Sequence, residues 1–215
     1  MMSENDVRRP LKIRGVRIVK SIAQSLSRRD ITPNQISIAS IFFAILSALC
    51  FLLFSYQNSG WLLILAALFI QLRLLCNLFD GMVAVEGGKS SPSGELFNDI
   101  PDRITDPMIL IAAGYAINIV SWAAEVGWCA GLFAVMTAYI RTLSASIGAP
   151  VDFKGPMAKQ HRMAVLTVAC VITVIEMLIL NSHYLLLLGL IIIAVGSVIT
   201  CIRRAIAAYH YLEAQ

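Results

Sequence analysis

The sequence predicts an all-α integral membrane protein, six transmembrane helices preceded by an amphipathic helix in the membrane interface. Three observations carry this expectation. Hydrophobic residues make up 58% of the 215-residue chain and charged residues only 14%, a balance outside the range of soluble domains. Six apolar runs are long enough to span or nearly span a bilayer, at Ile36–Tyr56, Trp61–Phe79, Ile104–Trp122, Val126–Ser144, Ala164–Leu180 and Tyr184–Ile202. The seventeen Lys and Arg also sort by side. Eight precede the first run, Lys89 and Arg103 lie between the second and third, and Arg141, Lys154, Lys159 and Arg162 lie between the fourth and fifth. Arg203 and Arg204 follow the sixth, Arg73 is inside the second, and the loops around Asn58, Ala124 and Ser182 hold none. The positive-inside rule then places both termini in the cytoplasm. The setting expected for such a multi-pass protein is a bacterial inner membrane.

The net charge of +4 is thereby explained as a topological signal, and no nucleic-acid partner is expected. Cys50, Cys76, Cys129, Cys170 and Cys201 all fall inside the runs without metal-ligand spacing and read as small apolar residues. The first run is too long for the core of a cleaved signal peptide.

In chain order, residues 1–31 read as a cytoplasmic tail and interfacial helix. Leu11, Ile18, Ile22 and Leu26 form one helical stripe, with Lys12, Arg14, Arg17, Lys20 and Arg28 around it, a pattern suited to anionic headgroups. Thr32-Pro33-Asn34-Gln35 follows. Thr32 as N-cap, Pro33 at the first helical position and Gln35 closing a capping box start the first span sharply. Residues 32–205 read as one membrane domain and 206–215 as a cytoplasmic tail. Gly127-x-x-x-Gly131 fits helix packing or a homodimer contact. Glu176, deep in the fifth run, reads as a hydrogen-bonded structural group rather than a catalytic one.

The chemistry concentrates between Arg73 and Asp106, where Arg73, Asn77, Asp80, Glu86, Glu95, Asp99, Asp102 and Asp106 stand at or beside membrane depth. Ionisable groups there are costly and mark functional sites. Asn77, Asp80, Gly81 and Ala84 recur at helical spacing, as do Gly94, Asn98, Asp102 and Asp106. Two helices joined by the Gly/Ser-rich stretch 86–93 would thus face oxygen ligands toward each other. A set without His or Cys suits Mg²⁺ or Mn²⁺. Gly81 and Ala84 expose backbone that lets a nucleotide approach, or else serve helix packing. Arg73 needs a partner, with Asp80, Asp106 or a bound phosphate as candidates. Pro101 is expected to kink or restart the third helix. The cluster Arg141, Lys159 and Arg162 suits a phosphate of donor or acceptor, though sidedness alone also accounts for it.

This stretch resembles the CDP-alcohol phosphatidyltransferase family, whose motif is D-x2-D-G-x2-A-R-x8-G-x3-D-x3-D. The same frame here reads Asn77, Asp80, Gly81, Ala84, Val85, Gly94, Asn98 and Asp102, with every spacing kept across 26 residues and five of eight positions matching. Asn replaces the first and third aspartates, and Val85 replaces the arginine. Thr32-Pro33-Asn34 also looks like the opening of the family's first membrane helix. The resemblance implies transfer of a substituted phosphate from CDP-diacylglycerol or a related CDP-alcohol to an alcohol, with release of CMP, in phospholipid biosynthesis. It implies Asp80, Asn77, Asn98 and Asp102 as metal positions and Asp102 as general base. Gly81, Ala84 and Gly94 would line the donor site, with Arg73 or Lys89 supplying the cation lost at Val85. The alternatives are a silent relative that binds a CDP-lipid or supports a partner enzyme, and a transporter. Polar groups at one membrane edge rather than the midplane speak against transport.

Overall fold

The computed structural model describes residues 17–29, 31–86, 94–153 and 155–214. Among these residues there are seven helices and no strand: α1 (Arg17–Arg28), α2 (Pro33–Gln57), α3 (Gly60–Glu86), α4 (Gly94–Tyr115), α5 (Ala123–Ser146), α6 (Lys159–Leu180) and α7 (Tyr184–Glu213). An all-helical solution follows from the composition, because a helix satisfies its own backbone hydrogen bonds where lipid offers no partner. Helices α2, α3, α5, α6 and α7 are long and apolar enough to cross a membrane. Helix α4 falls outside that group because Asp99, Asp102, Arg103 and Asp106 crowd its first half. Six spans is therefore an approximate count. The chain is a multi-pass membrane protein.

The start of α2 is the one the sequence predicts. The Thr32 N–H donates to Gln35 Oε1 at 3.0 Å and the Gln35 N–H donates to Thr32 Oγ1 at 3.3 Å, the reciprocal capping box. Helices α2 and α6 are each followed by an asparagine in the left-handed region, Asn58 (φ 47°) and Asn181 (φ 50°), a conformation Asn tolerates better than most residues. Two boundaries differ from expectation. The run ending at Trp122 stops being helical at Tyr115, and α7 continues to Glu213 where a tail was expected. Helix α4 also runs through Pro101 without a break. A proline removes a single backbone donor, and the rest of the ladder continues on either side.

The chain divides into two compact units, one of Met1–Phe43 with Leu72–Asp102, the other of Ala44–Gln71 with Arg103–Gln215. In the first, Val19 and Ala23 of α1 pack on Leu78, Phe79 and Met82 of α3. Ile22, expected on the apolar stripe, is exposed, so the docked face lies one position round from it. The part of the interfacial helix before Arg17 lies outside the described residues.

In the second unit α7 packs against both α5 and α6, and glycines set the closest approaches. A Cβ on Gly127 would fall 3.0 Å from both the Gly114 Cα and the Leu110 carbonyl oxygen, and one on Gly131 would lie 3.3 Å from Pro107. The Gly127/Gly131 face is thus used within the chain, between α4 and α5. Glu176 accepts hydrogen bonds from Ser182 Oγ (2.7 Å), the Tyr184 N–H (2.7 Å) and the Leu185 N–H (2.8 Å). It caps the first turn of α7, the structural role expected of it. The five cysteines are free, and Cys50, Cys170 and Cys201 are buried.

Candidate active site

Within the first unit, three helices converge on a polar cluster. Helix α3 carries Arg73, Asn77 and Asp80 at i, i+4 and i+7, one face of an unbroken helix. Helix α4 supplies Asp102 and α2 supplies Ser37. Arg73 is fully buried, and Asp80 and Asp102 keep 3% and 6% exposure. Arg73 Nη2 donates to Asp102 Oδ1 at 2.9 Å, and Asn77 Nδ2 donates to the same oxygen at 2.8 Å. Ser37 Oγ donates to Asp80 Oδ2 at 2.8 Å. Arg73 therefore pairs with Asp102, a partner that spacing along α3 does not suggest. Its reach crosses from α3 to α4.

This arrangement has definite electrostatics. A guanidinium and an amide both donate to one carboxylate oxygen, a charge-assisted pair that fixes the direction of Asp102. Ser37 orients Asp80 in the same way, with less charge. Asp102 Oδ2 and the Asn77 amide oxygen are acceptors that these two hydrogen bonds do not engage. The donors are hard oxygens, which fit Mg²⁺ or Mn²⁺. Among the described residues no group of three His, Cys, Asp or Glu converges into a metal cage. Two carboxylates and an amide suit one ion completed by substrate phosphates, the usual habit of Mg²⁺. Gly81 and Ala84 are half-buried on α3, and Gly94 opens α4. Lys89 and the side chain of Asn98 lie outside the described residues.

The second unit holds a basic cluster. Arg162 donates to Asp106 Oδ2 (3.1 Å), the Met157 carbonyl (2.8 Å) and Thr137 Oγ1 (3.3 Å). Arg204 Nη1 donates to the Thr137 carbonyl at 2.7 Å. Arg162 and Arg204 are nearly enclosed. Arg141 is half-buried, its guanidinium 5.6 Å from the Phe153 ring centroid, a cation–π contact. A pocket of about 290 Å³ opens among Arg141, Ser144, Asp152, Arg204 and Tyr211. Lys159 begins α6 and is half-buried; it does not line this pocket.

Two residues escaped the sequence reading. Ser37 gives no signal, since its partner is 43 positions away. Arg204 gives one that was available. Leu186, Leu190, Ile193, Ser197, Thr200 and Arg204 recur at helical spacing and all are buried, so the inner stripe of α7 runs on to include the arginine.

The sequence model described as CDP-alcohol phosphatidyltransferase matches residues 30–202. The chain belongs to the CDP-alcohol phosphatidyltransferase family. It is 28% identical over 196 residues to a phosphatidylinositol phosphate synthase of Streptomyces avermitilis, covering 88% of this chain and 77% of that protein. It is 26% identical over 196 residues to an archaetidylinositol phosphate synthase of Pyrococcus horikoshii, covering 91% and 93%. Two structures of the Mycobacterium tuberculosis phosphatidylinositol phosphate synthase share the fold at 21% identity. The one with CDP-DAG bound has a TM-score of 0.72 over 90% of this chain and 94% of that one. The one in complex with manganese and citrate has a TM-score of 0.74 over 89% and 88%. The chain is a membrane transferase of phospholipid biosynthesis, moving a substituted phosphate from a CDP-linked donor to an alcohol.

Proposed function

We propose that the acceptor is an alcohol bearing its own phosphate, and that the donor is CDP-diacylglycerol or a close CDP-alcohol. The observation that carries the acceptor reading is the pocket lined by Arg141 and Arg204, with Asp152 its one acidic residue. Paired guanidiniums at such a pocket suit a phosphate monoester, which accepts several charge-assisted hydrogen bonds at once. Arg162 supports the pocket by holding Thr137, whose carbonyl holds Arg204. The names of the curated relatives agree with a phosphorylated product.

For the donor, Asp80 and Asp102, with the amide oxygens of Asn77 and Asn98, are the groups that would hold a divalent cation. Such an ion supplies charge neutralisation at the diphosphate. Gly81, Ala84 and Gly94 leave room for the nucleotide, and Lys89 adds a cation. The acceptor hydroxyl oxygen attacks the phosphorus that carries the lipid, and the bond from that phosphorus to the oxygen of CMP breaks. The second carboxylate oxygen of Asp102, Oδ2, takes the hydroxyl proton, and CMP leaves with the electron pair. Arg73 and Asn77 on Oδ1 keep the carboxylate aimed. Residues 32–205 form the catalytic domain, with both termini in the cytoplasm.

The test is CMP release from CDP-diacylglycerol by the purified protein against matched acceptors: inositol phosphate and inositol, glycerol phosphate and glycerol. Turnover with a phosphorylated member only is expected. Arg141→Ala and Arg204→Ala should raise the KM for that acceptor and leave the donor KM unchanged. Equal use of the unphosphorylated partners would overturn the acceptor reading.

A further inference from the structure

We propose that Arg73 is a built-in cation of the donor site, holding Asp102 where a second divalent ion would otherwise be needed, so that the donor-free site takes at most one ion. This rests on the reading of Asp80 and Asp102 as donor-site carboxylates. Arg73 is fully enclosed, and its guanidinium is 2.9 Å from Asp102 Oδ1. Asn77 reaches the same oxygen at 2.8 Å with its amide nitrogen. A carboxylate at position 77 would bring two anionic oxygens together there and would require a cation between them. Asn77 donates a hydrogen bond instead, and that requirement disappears. The arginine and the asparagine are thus one mutually consistent set, each making sense of the other.

The charges lead to the same place. Asp80 and Asp102 against Arg73 leave a net single negative charge. One divalent ion turns this into a single positive charge, which the donor diphosphate reverses. A second ion before the donor arrives would leave three positive charges in a low-dielectric pocket, which is strongly unfavourable. Asp106 does not relieve this excess, because Arg162 already engages it at 3.1 Å.

The experiment counts Mn²⁺ bound per chain by electron paramagnetic resonance, on the full-length protein in nanodiscs without donor. One ion or none is expected for the wild type and for Arg73→Lys, which keeps the charge. The Arg73→Gln, Asn77→Asp variant, checked for retained helical content by circular dichroism, should bind one ion more. Two ions on the donor-free wild type, or no gain in the folded variant, overturns the inference. If the variant loses its fold, the wild-type count decides alone, two overturning and one or none supporting. CMP release by the wild type is measured on the same preparation. Release together with two bound ions sinks the role of Arg73 and spares the donor reading. No release with any acceptor sinks the donor reading itself.

Discussion

Asp102 answers to two neighbours, and that makes its substitution a test of two things at once. If Asp102 is the general base proposed above, its loss should slow transfer on the order of 10²- to 10⁴-fold. As the partner of a fully buried arginine, its loss should also strand a charge. Removing one member of a buried pair typically costs about 3–5 kcal/mol. Asp102→Asn is therefore expected both to abolish transfer and to lower the thermal midpoint in detergent. Adding Arg73→Gln should restore much of the midpoint and none of the turnover. An Asp102→Asn protein with wild-type turnover would remove it from the reaction. At this scale Asp80 and Asp102 were legible because the family frame fixes their spacing. The partner of Arg73 was not, since helical spacing identifies neighbours along α3 while the contact made crosses 29 residues to α4.

At the scale of the element, local rules were read well and their interruptions less so. The capping box at Thr32 was legible because its partners lie three residues apart. Thr32→Ala should cost about 1 kcal/mol, visible as faster amide exchange in the first turn of α2 with activity largely kept. The Gly127/Gly131 pair was legible as a contact but not as to its partner. Gly127→Val should be worse than an ordinary apolar change, since its Cβ meets the backbone of Gly114. Overpacking of this kind costs about 1–3 kcal/mol, and the expected readout is a lower midpoint with unchanged subunit number by light scattering. A change in subunit number instead would return these glycines to a dimer interface. The end of α4 was misplaced by seven residues, between Tyr115 and Trp122, because the apolar run continues into a turn that hydropathy does not register.

For the whole molecule, the sorting of Lys and Arg predicts the side of each loop. Cysteines placed at Asn58, Ala124 and Ser182 should be labelled from outside by a membrane-impermeant reagent. Protection of any of the three would break that topology. The all-helical class was legible from composition, because apolar length constrains a chain in lipid far more than in water. The division into two compact units was not, since its cuts fall inside α2, α3 and α4, within continuous helices and at no Pro- or Gly-rich linker.

Two ion pairs of α4, to Arg73 and to Arg162, bear on how the protein is made. A charged residue in an inserting helix costs up to about 2.5–3.5 kcal/mol on the translocon scale, most at the centre and less toward the edge, and α4 brings Asp102 and Asp106 within one turn. Arg73, the partner of Asp102, is synthesised 29 residues earlier and is already waiting. Arg162, the partner of Asp106, arrives 56 residues later. The pair of Asp102 can therefore form before the pair of Asp106 with Arg162, which waits for α6. Arg162→Ala should reduce the yield of correctly inserted α4 in the full-length chain, scored by a glycosylation or labelling reporter in the α4–α5 loop. In a chain truncated at Ser146, where α6 is absent in either case, insertion of α4 should already be poor. Equal insertion of α4 in the truncated and full-length chains would show that Asp106 needs no later partner.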